Sequence, residues 1–370
     1  MSPPYRVFFL LAALDAMLGV AVWLPWMPEG PDPVDWHRNL LLFGTVPAIL
    51  AGFLLTALPR WTGRPSIPPA LTAALAGSWL CARAVLPVSA PVGLALSAAF
   101  MLAVSSIAAA QVFAARDRRN PKVVALLGCF CAGIVLTAAG VQPASHRLAV
   151  ASLLGLVMVI GGRVTPALTA AFAGGQGIAL AIRPSRSVER AAAASAGGAL
   201  LLWVLAPQHP ATGILSAGAA AAQAIRVLRW QGWRSAASSA VTALHVGYGW
   251  IAAGFALLGA HVLDPGRVSQ AAAVHAWTVG AVGTMSLAVM ASMMRKHGQR
   301  PFARLPAATA SFVCITACAV ARLLAEFAPG GAAIWTGASA AAWIAAFALF
   351  VRAFRGEFRG VLSRPRRERR

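Results

Sequence analysis

Val274-His275-Ala276-Trp277-Thr278-Val279-Gly280-Ala281-Val282-Gly283-Thr284-Met285 sets one imidazole inside an apolar run that extends from 270 to 294. A helical span of the bilayer core takes about 20 mostly apolar residues, so this run is long enough to cross. An ionisable side chain at membrane depth is expensive and marks a functional site by default, most often a ligand, a proton carrier or a polar partner. His37, His245 and His297 also lie in or against apolar runs, and histidine is the commonest metal ligand. The pattern points to a membrane protein of many spans that holds a metal or a haem.

The remaining sequence agrees. Of 370 residues, 59% are hydrophobic and 11% charged, whereas about a quarter of an ordinary soluble domain is charged. Mean hydropathy is +0.72. Too little polar surface remains to coat a water-soluble body of this size. The net charge of +21 raises nucleic acid as a partner, because basic patches bind phosphate. Here, however, the basic residues fall in short clusters between apolar runs, the signature of membrane topology and of contact with anionic lipid. The expected partner is the lipid bilayer, with no nucleic acid. Tyr5-Arg6 leads into a segment longer than the apolar region of a cleavable signal, with no cleavage site evident. The five cysteines form no CxxC. Cys314 and Cys318 are helix-face neighbours at i and i+4, and either a packing or a metal role suits them.

Twelve apolar runs can be read along the chain, near 6–26, 40–59, 69–88, 92–115, 122–141, 147–170, 191–206, 211–227, 238–261, 270–294, 306–327 and 331–354. The loops test that reading independently. Alternate connections carry Arg60/Arg64, Arg116/Arg118/Arg119/Lys122, Arg183/Arg186/Arg190, Arg226/Arg229/Arg234 and Arg295/Lys296/Arg300/Arg304. The others carry Glu29, Asp32, Asp35, Gln142, His146, His209 and Asp264. With the N-terminus inside, every basic connection falls on the cytoplasmic side. The expectation is an all-α polytopic membrane protein, a bundle of about twelve transmembrane helices with both termini cytoplasmic. It forms a single integral membrane domain over 1–370, with a basic cytoplasmic tail over 355–370 ending Arg364-Pro-Arg-Arg-Glu-Arg-Arg370. Ala- and Gly-rich interiors such as Ala191–Gly198 allow close helix approach.

Several side chains carry candidate chemistry. His37, in Asp35-Trp36-His37-Arg38-Asn39 at the mouth of the second span, is either a metal ligand at the bilayer edge or a hydrated residue. Pro59 is expected to end that span, and Pro166 to end the sixth after Gly161-Gly162-Arg163. Arg60, Arg64 and Arg163 are then ordinary helix exits or, if they converge, an anion or haem-propionate site. His245 lies about 10 Å inside the cytoplasmic boundary at 1.5 Å per residue, with Tyr248 on the same face. His275 lies nearer the opposite surface, roughly a dozen ångströms away in depth by the same rise, so the two are not expected to share one atom. Met290, Met293, Met294 and His297 follow i, i+3, i+4 and i+7, one helix face. Thioether plus imidazole suits Cu(I), and methionine equally fills cores. Asp15 is the carboxylate placed well inside a span, and the scarcity of such acids counts against a proton-coupled carrier. No phosphate loop, GxSxG or HExxH occurs.

At these residues the chain resembles the NnrS family of bacterial membrane proteins. The matching pieces are Arg6-x-Phe8-Phe9-Leu10-Leu11-Ala12, Trp36-His37, Phe43-Gly44, Gly52-Phe-Leu-Leu-Thr-Ala57 and Trp61-Thr-Gly-Arg-Pro65. Asn120-Pro121, Gly161-Gly-Arg-Val-x-Pro166, Gly232-Trp233-Arg234, Leu244-His245-x-Gly-Tyr248, His275 to Met285 and His297 with Arg300-Pro301 continue them in order. The resemblance implies a twelve-span, haem- and copper-containing protein of the bacterial inner membrane. It further implies a role in nitric oxide tolerance, in denitrification-linked nitrosative stress, acting on nitric oxide or iron–nitrosyl species. On this reading His37, His245 and His275 are haem or metal ligands, with Tyr248 and Arg64 beside the cofactor. His297, Met290 and Met294 form the candidate copper set. The chain departs from the family where His-x-His-Glu-Met becomes His37-Arg38-Asn39-Leu40-Leu41, losing the second His and the Glu. The alternatives are a metal-free twelve-span transporter, for which no repeat between the halves is found, and a haem-based membrane sensor of nitric oxide.

Overall fold

The computed structural model describes residues 3–21, 33–178, 180, 185–299 and 305–362, and among these every regular element is a helix. In chain order they are α1 Pro4–Ala21, α2 Val34–Thr62, α3 Pro69–Val85, α4 Ala90–Ala114, α5 Pro121–Ala138 and α6 Ala144–Gly175. There follow α7 Arg186–Leu205, α8 Pro210–Arg229, α9 Ser239–Leu263, α10 Gln270–His297, α11 Pro306–Phe327, α12 Ala332–Ala353 and the short α13 Arg355–Leu362. Eleven of these are long and apolar enough to cross a bilayer. α3, with 17 residues, stands at the short end of the range of about 17–25 that a span requires. All twelve expected runs are thus helical. Glu29, Asp32, Arg183, Arg300, Pro301, Arg304 and the tail from 363 lie outside the described residues.

Helix starts follow local chemistry. Proline occupies the first turn of α3, α4, α5, α8 and α11, where its missing N–H has no partner to lose. Ser269 Oγ accepts from the Ala272 N–H at 3.1 Å to open α10. Two expected stops are corrected. α2 runs through Pro59 and ends at Thr62, where Gly63 turns left-handed at φ 68°. α6 runs through Pro166 to Gly175. Helices in membranes accommodate an internal proline because neighbouring groups and local adjustment satisfy the freed carbonyl. α2 also begins earlier than the apolar run, taking in Asp35 to Leu40 as its polar first turns. Two helices contain wide turns, Leu41–Thr45 in α2 and Ala276–Gly283 in α10. In the first, the Val46 N–H bonds to Leu41 O, an i→i+5 closure of the kind concentrated at functional sites.

The fold divides into two compact units. The first takes Met1–Ala149, Met290–Arg300 and Phe350–Arg370, and the second Val150–Val289 and Pro301–Leu349. Three of the four divisions fall inside α6, α10 and α12.

In the first unit α1 packs on α2, α2 and α3 on α4, α4 on α5, and α13 on α1. Gly52 gives Phe9 its place, since a Cβ there would stand 2.7 Å from the ring. At the centre Asp15 Oδ1 pairs with Arg83 Nε at 2.9 Å, and Thr45 donates to Asp15 Oδ2 at 2.7 Å. The guanidinium lies flat on Gly44, and Trp79 Nε1 donates to the Gly44 carbonyl at 3.0 Å. The wide turn is therefore braced on both sides by α3. In the second unit α7 packs on α8, α8 on α9, and α9 and α11 on the wide turn of α10. Trp277 fills a notch at Gly254, donates to Ile251 O at 3.2 Å, and meets Trp203 and Phe255 edge-on.

The Asp15–Arg83 pair generates a direct expectation. Removing one partner strands a charge in the hydrocarbon region, a loss of about 3–5 kcal/mol. Asp15→Ala and Arg83→Ala should each lower the unfolding temperature of detergent-solubilised protein sharply. The double variant Asp15→Leu/Arg83→Met should recover most of the loss, and equal destabilisation by the double and single variants would sink the assignment.

Candidate functional site

The half-buried His275 ends the first turns of α10, immediately before the wide turn. Its Nδ1 stands 2.8 Å from the Ala271 carbonyl. A carbonyl only accepts, so Nδ1 carries the proton and Nε2 the lone pair. This is the arrangement of metal-binding histidines, whose other nitrogen is held by a backbone carbonyl that fixes tautomer and ring direction. Thr278 turns its hydroxyl back to Val274 O at 2.8 Å, and Gly280 admits the Trp250 indole.

His245 has a different setting. Thr169 donates its single O–H to Thr165 O at 2.7 Å, so His245 Nε2, 2.8 Å away, donates to Thr169 Oγ1. The ring lies on Gly232, in space a Cβ would fill. Its Nδ1 is buried with no hydrogen-bond partner among the described residues. Trp230 stands edge-on to both His245 and Tyr248, with centroids 6.2 and 4.6 Å apart, so the expected shared face is real. The Tyr248 hydroxyl, however, is taken by Arg226 Nη1. Arg226 also pairs with Glu189 at 2.6 Å and lies over the Trp230 and Tyr248 rings at 5.2 and 5.4 Å. Gly162 leaves room for the guanidinium. The contacts of Trp277 with Gly254 and of Met285 with Gly247 set the register of α10 on α9. His275 consequently stands about three turns of α9 from His245, roughly 16 Å at 1.5 Å per residue. The two histidines occupy separate levels.

In the first unit α10 persists to His297, so Met290, Met294 and His297 do lie along one stripe, with both methionines fully buried. His297 Nδ1 stands 3.0 Å from Met293 O, and the ring lies against Tyr5 at 4.7 Å, tilted by 31°. Arg6 donates to the Tyr5 hydroxyl at 3.1 Å. His37 is half-buried in the second turn of α2, and Asp35 pairs with Arg38 at 3.2 Å. Arg64 is exposed just beyond α2. All five cysteines are free thiols, and Cys318 Sγ lies 3.3 Å from Ser339 Oγ. Among the described residues no three of His, Cys, Asp and Glu converge.

Thr169, Trp230, Arg226 and Glu189 were not singled out from the sequence as partners of His245 and Tyr248. The available signal was glycine: Gly162 receives a guanidinium, Gly232 an imidazole, and Gly161 the Met285 side chain.

The family model described as NnrS protein matches residues 1–366. No curated protein matches the chain.

Gly232→Ala should force a methyl into the His245 ring, an overpacking loss of about 1–3 kcal/mol. Gly249→Ala, inside α9 where no atom stands within 4 Å, should cause no loss and raise stability by up to about 1 kcal/mol. Thermal unfolding followed by tryptophan emission checks both.

Proposed function

The chain belongs to the NnrS family, and from that premise we propose that it is a haem- and copper-holding protein of the bacterial inner membrane that acts in nitric oxide tolerance. Both termini are cytoplasmic in this reading, because the basic clusters then all face inward. The observation that carries it is the orientation of His275. A half-buried imidazole at the mouth of a wide helical turn donates Nδ1–H to Ala271 O at 2.8 Å, which fixes the ring and puts its lone pair on Nε2.

The donor set fits the cofactors that the family implies. His275 would hold haem iron or copper through Nε2, and the hydrogen bond to Ala271 makes that nitrogen a better donor. His297 is held in the same tautomer by Met293 O, and with the buried thioethers of Met290 and Met294 it offers the soft set that suits Cu(I). His245 serves the second unit as a buried ring locked by Thr169 and Gly232, with its Nδ1 as the remaining donor. When bound, the metal supplies a centre to which nitric oxide or an iron–nitrosyl species coordinates.

One observation weighs against the metal-free transporter. Asp15, placed deep in a span, is neutralised by Arg83 and capped by Thr45, which ties up the carboxylate that a proton carrier would need.

Purified protein should show a haem Soret band that shifts on adding nitric oxide, and elemental analysis should find iron and copper. His275→Ala should lower haem occupancy by about tenfold or more. A colourless, metal-free protein from haem-sufficient cells would overturn the reading in favour of transport. The variant Met290→Leu/Met294→Leu/His297→Ala should lose copper and keep haem iron, and unchanged copper would reject that set. In a deletion strain, wild type should restore nitric oxide tolerance and His275→Ala should not. Full tolerance without the gene, with the Soret shift intact, would favour a sensor.

A further inference from the structure

Three span ends meet in the first unit. The contacts of Gly52 with Phe8 and Phe9 and of Thr45 with Asp15 set α1 antiparallel on α2, so the last turn of α2 comes to the start of α1. The Tyr5 ring, 1% exposed, lies against the His297 ring that closes α10. Around this pair stand the half-buried Arg6 and the exposed Arg60 and Lys296, and all three act electrostatically on the His297 ring, Arg60 foremost. Arg6 turns to Tyr5, its Nε donating to the hydroxyl at 3.1 Å and its guanidinium 5.8 Å from the ring centroid. Among the described residues no acceptor takes the Tyr5 hydroxyl proton, and no acid ion-pairs with Arg6, Arg60 or Lys296. Glu357 of α13 reaches Gly298, with Oε1 3.4 Å from a Cβ placed there, and it pairs with none of the three.

Arg60 and Lys296 lie in the last turns of α2 and α10, where a cation offsets the carbonyl end of a helix. Arg6 lies in the first turn of α1, which holds no acid, and there the helix end is itself positive. An anion would offset that third charge. The groups on offer are all donors, a phenol O–H beside three cationic side chains, and such a set suits an anion with several oxygens. Depth chooses among such anions. Trp61 follows Arg60, half-buried and edge-on to Phe53 at 5.7 Å, and tryptophan concentrates at the headgroup level of a bilayer. Lipid phosphates lie at that level, and three positive charges repel the amine of a zwitterionic headgroup. We propose that Tyr5, Arg6, Arg60 and Lys296 form a binding site for the phosphate of an anionic phospholipid headgroup. The site needs no metal and stands apart from the haem and copper sets.

The test uses the full chain in dodecyl maltoside at about 0.15 M salt, titrated with dioctanoyl phosphatidylglycerol, dioctanoyl phosphatidylcholine or inorganic phosphate. Bound lipid is counted by native mass spectrometry, and haem is read by absorbance on the same samples. Wild type should hold phosphatidylglycerol about tenfold or more tighter than phosphatidylcholine. Arg6→Gln, Arg60→Gln and Lys296→Gln should each weaken it about fivefold, and the three together about a hundredfold. Tyr5→Phe keeps the ring against His297 and removes the hydroxyl, and it should weaken binding about tenfold, a loss that packing alone does not produce. Arg116→Gln/Arg118→Gln/Arg119→Gln, which removes as many charges from the connection before α5, should leave binding unchanged. Equal losses in the two triple variants, or equal affinity for the two lipids, would mean diffuse surface charge and overturn the site. Displacement of the lipid by inorganic phosphate at equal concentration would give the site to a free anion and overturn the lipid assignment. Haem lost from the Arg6→Gln/Arg60→Gln/Lys296→Gln variant with lipid retained would overturn it in favour of haem propionates.

Discussion

Helices in hydrocarbon gain little by turning apolar faces toward one another instead of toward lipid, so their packing rests on close approach. Here the approach is made by glycines that receive large or charged side chains. Gly52 takes Phe9, Gly44 takes Arg83, Gly162 takes Arg226, Gly232 takes His245, Gly254 takes Trp277 and Gly280 takes Trp250. The same contacts solve a second problem, since a polar group in a low-dielectric interior must find its partner within the protein. Each guanidinium reaches its acid because a glycine has cleared the way.

The two units meet that requirement with similar chemistry. In the first, Arg83 on Gly44 pairs with Asp15, with Thr45 and Trp79 beside it. In the second, Arg226 against Gly162 pairs with Glu189, with Tyr248 and Trp230 beside it. An arginine, an acid, a hydroxyl and an indole gather around a glycine, so that each guanidinium has its counter-charge beside it. The acids come from different places in their helices, Asp15 deep within α1 and Glu189 in the first turn of α7, so the likeness is one of chemistry rather than of sequence.

The apolar runs were legible because a span must be long and uncharged, and that constraint writes itself into composition. Boundaries were less so. Asp35 to Asn39 read as a connection, since polar residues at a helix mouth look like a loop until their tertiary partners are known. Pro59 and Pro166 read as stops by the rule for soluble helices. His245 with Tyr248, and the Met290–His297 stripe, followed from helical spacing. Arg226 with Glu189, 37 residues apart, could not follow from spacing at all, because long-range pairing leaves no local pattern. His146 read as part of a connection for the same reason: its burial comes from Phe43 and from the approach of α6 to α5, neither visible in Ser145-His146-Arg147.

The wide turns put each of their helices out of phase with itself. One extra residue per closure displaces the following side chains by about 100° at 3.6 residues per turn. Residues before and after Ala276–Gly283 therefore answer to two different clocks. His275 can be aimed independently of the stripe that begins at Met290, although both ride on one continuous helix. A single-residue deletion inside the turn would leave a helix still long enough to span, yet one that points its imidazole elsewhere. In such a protein, length and hydropathy say nothing of whether the imidazole keeps its direction; the count of residues within the turn does.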